Sequence, residues 1–189
     1  MDVSNAGYWK DRYRSGEAGW DLGGPCPVFV ELLRSSLAPP LGRVALPGCG
    51  MGHDVRLFRD HGYDAVGFDF ATRPEGVPVV ELDVFELGRR YPGGFDAIVE
   101  YTCYCAIEPR RRAEDAAALF AALRPGGTLV ALVFPVERRE EGPPFGIEES
   151  EIAAVLGAGM ELVHLETPRS SVGPRLGRER LALFRKGCV

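Results

Sequence analysis

Three glycines on alternate positions, Gly48, Gly50 and Gly52, lie in the run Leu46-Pro47-Gly48-Cys49-Gly50-Met51-Gly52-His53-Asp54. Without a Cβ at these points the main chain can turn tightly and approach a bound molecule. The helix that should follow offers free N–H groups at its start. A dinucleotide turn reads G-x-G-x-x-G, and its third glycine would fall where His53 stands. The G-x-G-x-G spacing suits the amino-acid end of a nucleoside sulfonium better than a pyrophosphate. Taken alone, the turn is also explained as an ordinary strand-to-helix connection. Asp69, about twenty residues on, closes the next expected strand. An ionised carboxylate is acceptor-only, so it can take both hydroxyls of a ribose. Turn and acid together point to a nucleoside ligand, and Asp69→Ala should abolish its binding while leaving the fold intact.

Asp83-Val84 follows a third expected strand. A carboxylate there could address an adenine edge, with Val84 and Phe85 packing on the ring; a helix N-cap at Asp83 is the alternative. Trp9, Trp20 and Tyr101 could present aromatic faces to a sulfonium cation. Their alternative is packing, which is the preferred reading for Tyr8 and Tyr104. No Ser-His-Asp group and no general base stand out. His53 should cap or orient its helix, and His61 and His164 look peripheral. Asp21 and Arg175 are candidates for placing an acceptor. Cys103-x-Cys105 falls short of the three or four ligands a zinc site needs, so no metal is expected and core thiols are the better reading. Arg110-Arg111-Arg112 opens a helix, where cations are disfavoured, and reads as a solvated turn.

The elements that must hold these residues alternate. Helices are expected at Asn5–Ser15, Val28–Leu37, His53–His61, Pro109–Leu123 and Glu148–Leu156. Strands are expected at Arg43–Leu46, Asp64–Phe68, Val77–Leu82, Phe95–Glu100, Thr128–Phe134, Met160–Thr167 and Arg180–Arg185. This is an α/β pattern: a Rossmann-like, seven-stranded, mostly parallel doubly wound sheet with an antiparallel last strand, and ligands beyond the carboxyl ends of its strands. One domain, 1–189, is expected, with residues 1–40 as an N-terminal helical and aromatic arm over the site.

The chain has 189 residues, 46% of them apolar and 26% charged, with a net charge of −5. An acidic balance disfavours a nucleic-acid backbone as partner. Five cysteines, an odd number with no C-x-x-C pair, fit free thiols in the cytoplasm. No signal peptide and no apolar run of membrane-spanning length is evident, so no membrane partner is expected.

With these residues placed, the chain resembles the thiopurine, thiol and halide methyltransferase family from Trp9 to Arg185. The matches begin at Trp9-Lys10-Asp11-Arg12-Tyr13, Gly19-Trp20-Asp21-Leu22-Gly23 and Pro47-Gly48-Cys49-Gly50. They continue through Gly67-Phe68-Asp69, Asp83-Val84-Phe85 and Glu100-Tyr101-Thr102-Cys103-Tyr104-Cys105-Ala106. They end with Leu123-Arg124-Pro125-Gly126-Gly127, Gly142-Pro143-Pro144-Phe145 and Gly177-Arg178-Glu179. The resemblance implies S-adenosylmethionine as cofactor, with contacts from Trp9, Tyr13, Trp20, Gly48, Gly50, Asp69, Asp83, Val84 and Tyr101. It implies a lid at Gly142–Phe145, with Pro144 and Phe145 beside the acceptor, and a small-molecule acceptor taken by a monomer or weak homodimer. Tyr13 stands where the family often has Trp, and keeps an aromatic face.

For a soft acceptor the chemistry needs little from the protein. An alkyl thiol has a pKa of about 8.5, so some thiolate exists near neutrality. Cation and anion then combine in a dry pocket that favours the loss of charge. Three readings stay open beside a soft-atom transferase: a small-molecule O- or N-methyltransferase, a binding protein without transferase activity, and, more remotely, a nicotinamide dehydrogenase. One departure from the family concerns the thirteen residues between Asp69 and Asp83, which include Pro74 and Gly76. They leave no room for the family's usual helix, so a bare crossover loop and a more open adenine side are expected, unless another segment or subunit covers it.

Overall fold

The central strands carry apolar residues on both faces and both are buried, whereas the edge segments Val79–Glu81 and Met160–Glu166 stay largely exposed. A computed structural model describes residues 2–188; Met1 and Val189, the ends of the expected 1–189 domain, lie outside the described residues. Chain order is α1 (Ala6–Ser15), α2 (Pro27–Leu32), β1 (Arg43–Pro47), α3 (His53–Asp60), β2 (Asp64–Asp69), β3 (Val79–Glu81) and α4 (Leu87–Arg90). Then come β4 (Phe95–Tyr101), α5 (Arg112–Ala122), β5 (Leu123–Val133), α6 (Glu149–Glu151), β6 (Met160–Glu166) and β7 (Arg180–Lys186).

The seven strands form one sheet in the order β3-β2-β1-β4-β5-β7-β6. Pairs from β3 through β5 are parallel, and β7 runs antiparallel to both β5 and β6. This is the expected sheet with its antiparallel last strand. Side chains alternate between two cores, as period-two geometry requires. Leu129, Ala131 and Val133 of β5 face one cluster, and Val130 and Leu132 face the other. The order reverses between β1 and β4, which opens a crevice at their carboxyl ends. Among the described residues no helix is long and apolar enough to cross a membrane.

Several elements are shorter than the sequence suggests. The helix expected over Val28–Leu37 stops at Leu32, because the Ser35 hydroxyl bonds the Leu32 carbonyl and accepts from Leu37 N–H. The strand expected over Val77–Leu82 is only Val79–Glu81. The helix expected from Pro109 begins as a 3₁₀ turn and becomes α-helical at Arg112. The last expected helix is one α-turn followed by a π-turn over Ile152–Leu156, closed by the Gly157 N–H on the Ile152 carbonyl.

The crossover after Asp69 is the bare loop the sequence demands. It packs on the glycine turn: a Cβ at Gly52 would lie 2.9 Å from Val77 Cγ1 and 3.4 Å from Pro74 Cγ. Arg56 ties the two together, donating to the carbonyls of Met51 and Glu75. At the other end of the sheet's crevice lies the arm. Asn5 caps α1 by accepting the Gly7 N–H at 2.8 Å, and Gly16 ends the helix at φ +72°.

Candidate active site

The turn after β1 is left-handed at Gly48 (φ +60°) and Gly50 (φ +52°), a conformation open to glycine and costly for other residues. Space is as restrictive as torsion. A Cβ at Gly48 would lie 2.7 Å from the Cβ of Cys103, and one at Gly50 2.6 Å from the Tyr13 hydroxyl. The turn is therefore clamped between the β4 connection and the arm.

Asp69 organises the same region from the end of β2. Its Oδ2 accepts the Gly50 N–H at 2.9 Å, and its Oδ1 accepts those of Ala71 and Thr72 at 2.7 and 3.0 Å. Thr72 closes the ring by donating to the Gly50 carbonyl at 2.6 Å. Three of the roughly four acceptor sites of a carboxylate are thus filled by main chain. The expectation that Asp69 takes both hydroxyls of a ribose is reduced to one remaining site.

A cavity of about 460 Å³ opens beyond these strand ends. Trp9, Tyr13 and Trp20 of the arm wall one side, with Gly48 and Asp69 at the base. Asp83 and Val84 line it from the connection after β3, at one side of the sheet order, and Pro144 and Arg175 from connections after β5 and before β7, at the other. The arm aromatics brace one another: Trp9 and Trp20 meet edge to face at 5.3 Å, and Trp20 Nε1 donates to the Tyr13 hydroxyl at 2.8 Å. Asp83 also caps the turn after it, accepting the Phe85 N–H at 3.2 Å, so capping and cavity lining coexist there. Tyr8 lines the cavity rather than only packing, whereas Tyr104 is buried, with its hydroxyl on Glu151.

Four expected site residues do not line this cavity, three of them lining a smaller pocket that shares Tyr13, Trp20, Gly48 and Thr102 with it. Gly50 is one of these three, its N–H committed to Asp69. Tyr101 packs edge to face on Phe29 at 5.6 Å and lines a small neighbouring pocket of about 60 Å³. Asp21 lines that same small pocket, where its Oδ1 sits 3.2 Å from His53 Nε2 and accepts the Gly23 N–H. Phe145 packs its ring against Gly142 and donates its N–H to the Cys105 carbonyl, leaving Pro143 and Pro144 to reach the cavity.

The Arg175 wall is the part the sequence conceals. Arg175 is only 5% exposed. It donates to the Tyr101 hydroxyl and, at 3.0 Å, to the Trp20 carbonyl, both neutral. Tyr101 in turn donates to Glu179 Oε1 at 3.0 Å. Burial raises both groups, Tyr101 and the carboxyl of Glu179. Arg175 and Arg178 both lie over the Phe134 ring, at 5.1 and 5.2 Å, and Arg178 is paired to Glu137. Glu179 stands in the Gly177-Arg178-Glu179 motif, whose local pattern gave no hint of burial.

Beneath the cavity floor, Glu100 Oε1 accepts the N–H groups of Cys103 and Tyr104 at 3.0 and 2.6 Å. That bond pair steadies a turn in which Thr102 is left-handed at φ +59°. Burial pushes the Glu100 carboxyl up to about 7. Cys103 and Cys105 are not only core thiols, because both line the cavity. Burial drives Cys105 to about 12 and Cys103 well up, so both remain neutral thiols. Among the described residues no cluster of three metal-ligating side chains occurs.

A family model described as thiopurine S-methyltransferase matches residues 4–74 and 71–186. The chain belongs to the thiopurine S-methyltransferase family. It is an S-adenosylmethionine-dependent S-methyltransferase. The Arabidopsis thaliana protein named "Probable thiol methyltransferase 2" is 33% identical to it, over 98% of this chain and 88% of that one. Thiocyanate methyltransferase 1 of Brassica oleracea is 32% identical over 95% and 85%. Among solved structures, a Burkholderia thailandensis 1,6-didemethyltoxoflavin-N1-methyltransferase with bound S-adenosylhomocysteine superposes with a TM-score of 0.72. It is 23% identical, over 96% of this chain and 87% of that one. A TehB-like methyltransferase from Corynebacterium glutamicum gives 0.66 at 20% identity, over 98% and 100%. These two likenesses concern the fold. For a thiopurine S-methyltransferase family chain, the bare loop after Asp69 leaves the Asp83 end of the cavity to be walled by other connections.

Proposed function

We propose that this methyltransferase acts on a small, soft, anionic acceptor held at the Pro144–Arg175 end of the cavity: a thiolate, a thiopurine-like sulfur, selenium or a halide. Arg175 carries the reading. It is nearly buried, it lines the cavity, and its direct hydrogen-bond partners are neutral. A buried guanidinium is costly unless an anion accompanies it. Glu179 is hydrogen-bonded to it through the Tyr101 hydroxyl, and its charge acts on Arg175 from a distance. An anionic acceptor completes the balance.

When bound, S-adenosylmethionine supplies a methyl group carried on a positively charged sulfur. The residues present suit it. The faces of Trp9, Tyr13 and Trp20 attract a cation by about 0.5–2 kcal/mol each. The Gly48 main chain, free of a Cβ, would admit the amino-acid end. Asp69 would offer its remaining acceptor site to a ribose hydroxyl, and Asp83 and Val84 would hold the adenine end. Gly50 and Tyr101 act one step back, fixing Asp69 and Arg175 respectively. Asp21 steadies His53, and Phe145 shapes the lid that presents Pro144.

An acceptor that arrives as an anion needs no proton removed, which suits a cavity whose thiols are held neutral. Alignment and exclusion of water then supply most of the help the protein gives. A single domain acting as a monomer or weak homodimer in the cytoplasm accords with five free thiols and a net charge of −5. The same charge argues against nucleic acid as partner.

A screen with methyl-labelled cofactor tests the reading. Alkyl thiols, thiocyanate and iodide should be methylated far faster than phenols and amines of similar size. Transfer confined to phenols or amines would overturn it.

A further inference from the structure

The turn Arg110-Arg111-Arg112 looks like one solvated basic patch, but its three side chains part company. Arg110 is exposed and pairs with Glu108 at 2.7 Å. Arg112 is 2% exposed and pairs with Glu151. Arg111 is half-buried and pairs with Glu114. Its guanidinium carbon lies 3.6 Å from the centroid of the Phe85 ring, a separation that fits face-to-face stacking. Two hydrogen bonds of 2.9 Å to the Glu114 carboxylate fix the plane of the fork. Both Arg111 and Phe85 line the large cavity, at the end where Asp83 and Val84 stand.

That end is the one left bare by the short crossover. The loop after Asp69 packs back on Gly52 and the start of α3, so it contributes only Phe70 and Ala71 to the cavity wall. A purine ring is flat and apolar on its faces, and it stacks on aromatic rings and guanidinium planes alike. We infer that Arg111, stacked on Phe85, adds a guanidinium plane to the adenine end of the cofactor site and strengthens its hold on a purine base. The inference rests on the proposed placement of the cofactor. Arg111 comes from the connection before α5 and Phe85 from the connection after β3, two segments that pack together on the sheet face opposite α3. Glu114 holds the fork in plane, which makes it a positioning residue.

The test is calorimetric titration of wild type, Arg111→Ala, Arg111→Lys and Phe85→Ala with S-adenosylhomocysteine and, separately, with adenosine. Thermal melts accompany each titration. The pair is partly exposed, so the variants should melt close to wild type. Arg111→Ala and Phe85→Ala should weaken both ligands by about 3- to 30-fold, and by the same factor, because the lost contact is to the base. Arg111→Lys keeps the charge but not the plane, and should behave like Arg111→Ala. Should Arg111→Lys bind like wild type, charge and not stacking would be the cause, and the inference fails. Affinities of the two Arg111 variants within twofold of wild type also overturn it. If wild type itself binds neither ligand, the cofactor placement fails and takes this inference with it.

Discussion

On one side of the cavity Asp69 holds the N–H groups of Gly50, Ala71 and Thr72, none more than 19 residues away. On the other, Arg175 reaches Tyr101 and Trp20, 74 and 155 residues away. The first side is an anion fixed by neutral main-chain donors inside one turn. The second is a cation fixed by neutral acceptors gathered from the arm, β4 and the connection before β7. Local construction makes the Asp69 side stiff and intolerant of change. Distant construction leaves the Arg175 side, where the acceptor is proposed to sit, freer to vary while the turn stands.

The largest expected effect comes from breaking the local side. Asp69→Ala leaves three backbone donors without their acceptor, in a residue only 8% exposed. Each such loss costs about 1–3 kcal/mol, reduced where water enters. The variant should lose on the order of 2–4 kcal/mol in urea unfolding as well as all measurable S-adenosylhomocysteine affinity. The fold is still expected to survive this substitution, at reduced stability. Asp69→Asn keeps an oxygen for part of the set and should be intermediate in both measurements. Unchanged stability in Asp69→Ala would mean the turn does not depend on its carboxylate.

Breaking the distant side should separate the two ligands. Arg175→Met removes the guanidinium and leaves the Glu179 carboxyl buried behind Tyr101. Truncating one member of a buried charged network costs about 2–5 kcal/mol, and 1.36 kcal/mol is about tenfold in rate. Steady-state kinetics at saturating cofactor should show kcat/KM for an anionic thiol or thiocyanate reduced about 30- to 5000-fold. Calorimetric affinity for S-adenosylhomocysteine should move less than about threefold. Equal loss of both would show that the two sides are one mechanical unit.

What the sequence discloses follows the same division. Gly48, Gly50 and Asp69 are legible because their roles are set by torsion, spacing and a strand end, all local. The mostly parallel doubly wound sheet follows from alternation of short strands and helices, whereas its strand order rests on contacts between distant segments. Arg112 is illegible: a cation at a helix start reads as solvated, and only its burial against Glu151, 39 residues on, gives it a partner. Asp21 misleads for the converse reason. It lies among the arm's aromatics in sequence, but the chain turns at Gly23 and delivers it to His53 in the small pocket. Glu100 falls within a recognisable motif, yet nothing local signals that its Oε2 is buried without a partner among the described residues.

Glu100 sharpens the comparison through pH, since it supports the floor shared by both sides. Burial raises its folded pKa to about 7 from 4.5, while the Cys103 and Tyr104 N–H groups and Arg112 act to lower it. A folded-state pKa above the unfolded value means the native state holds the extra proton. Its contribution to stability is therefore complete below about 4.5 and lost as pH rises through about 7. Asp115, raised by burial and then by Glu100, adds to the same slope, and Asp54, raised to about 6, does so from α3. Urea midpoints of wild type should fall between pH 5 and pH 8. Glu100→Gln should flatten that fall without abolishing it, gaining on wild type by on the order of 1–3 kcal/mol at the alkaline end. A parallel pair of curves would place the proton elsewhere.

The smallest effect is expected at the crossover loop. Arg73 and Glu81 meet at 2.7 Å, with side chains 66% and 51% exposed. An exposed pair of this kind contributes about 0–1 kcal/mol and is screened by salt. The loop has sturdier anchors in Pro74 and Val77 against Gly52 and in Arg56 on the Met51 and Glu75 carbonyls. Arg73→Ala should therefore shift stability by no more than about 0.5 kcal/mol and S-adenosylhomocysteine affinity by less than about twofold. Adding salt should narrow even that difference. A larger loss would mean that this turn-side loop is held by charge across space, as the arginine wall is, and the contrast between the two sides would no longer stand.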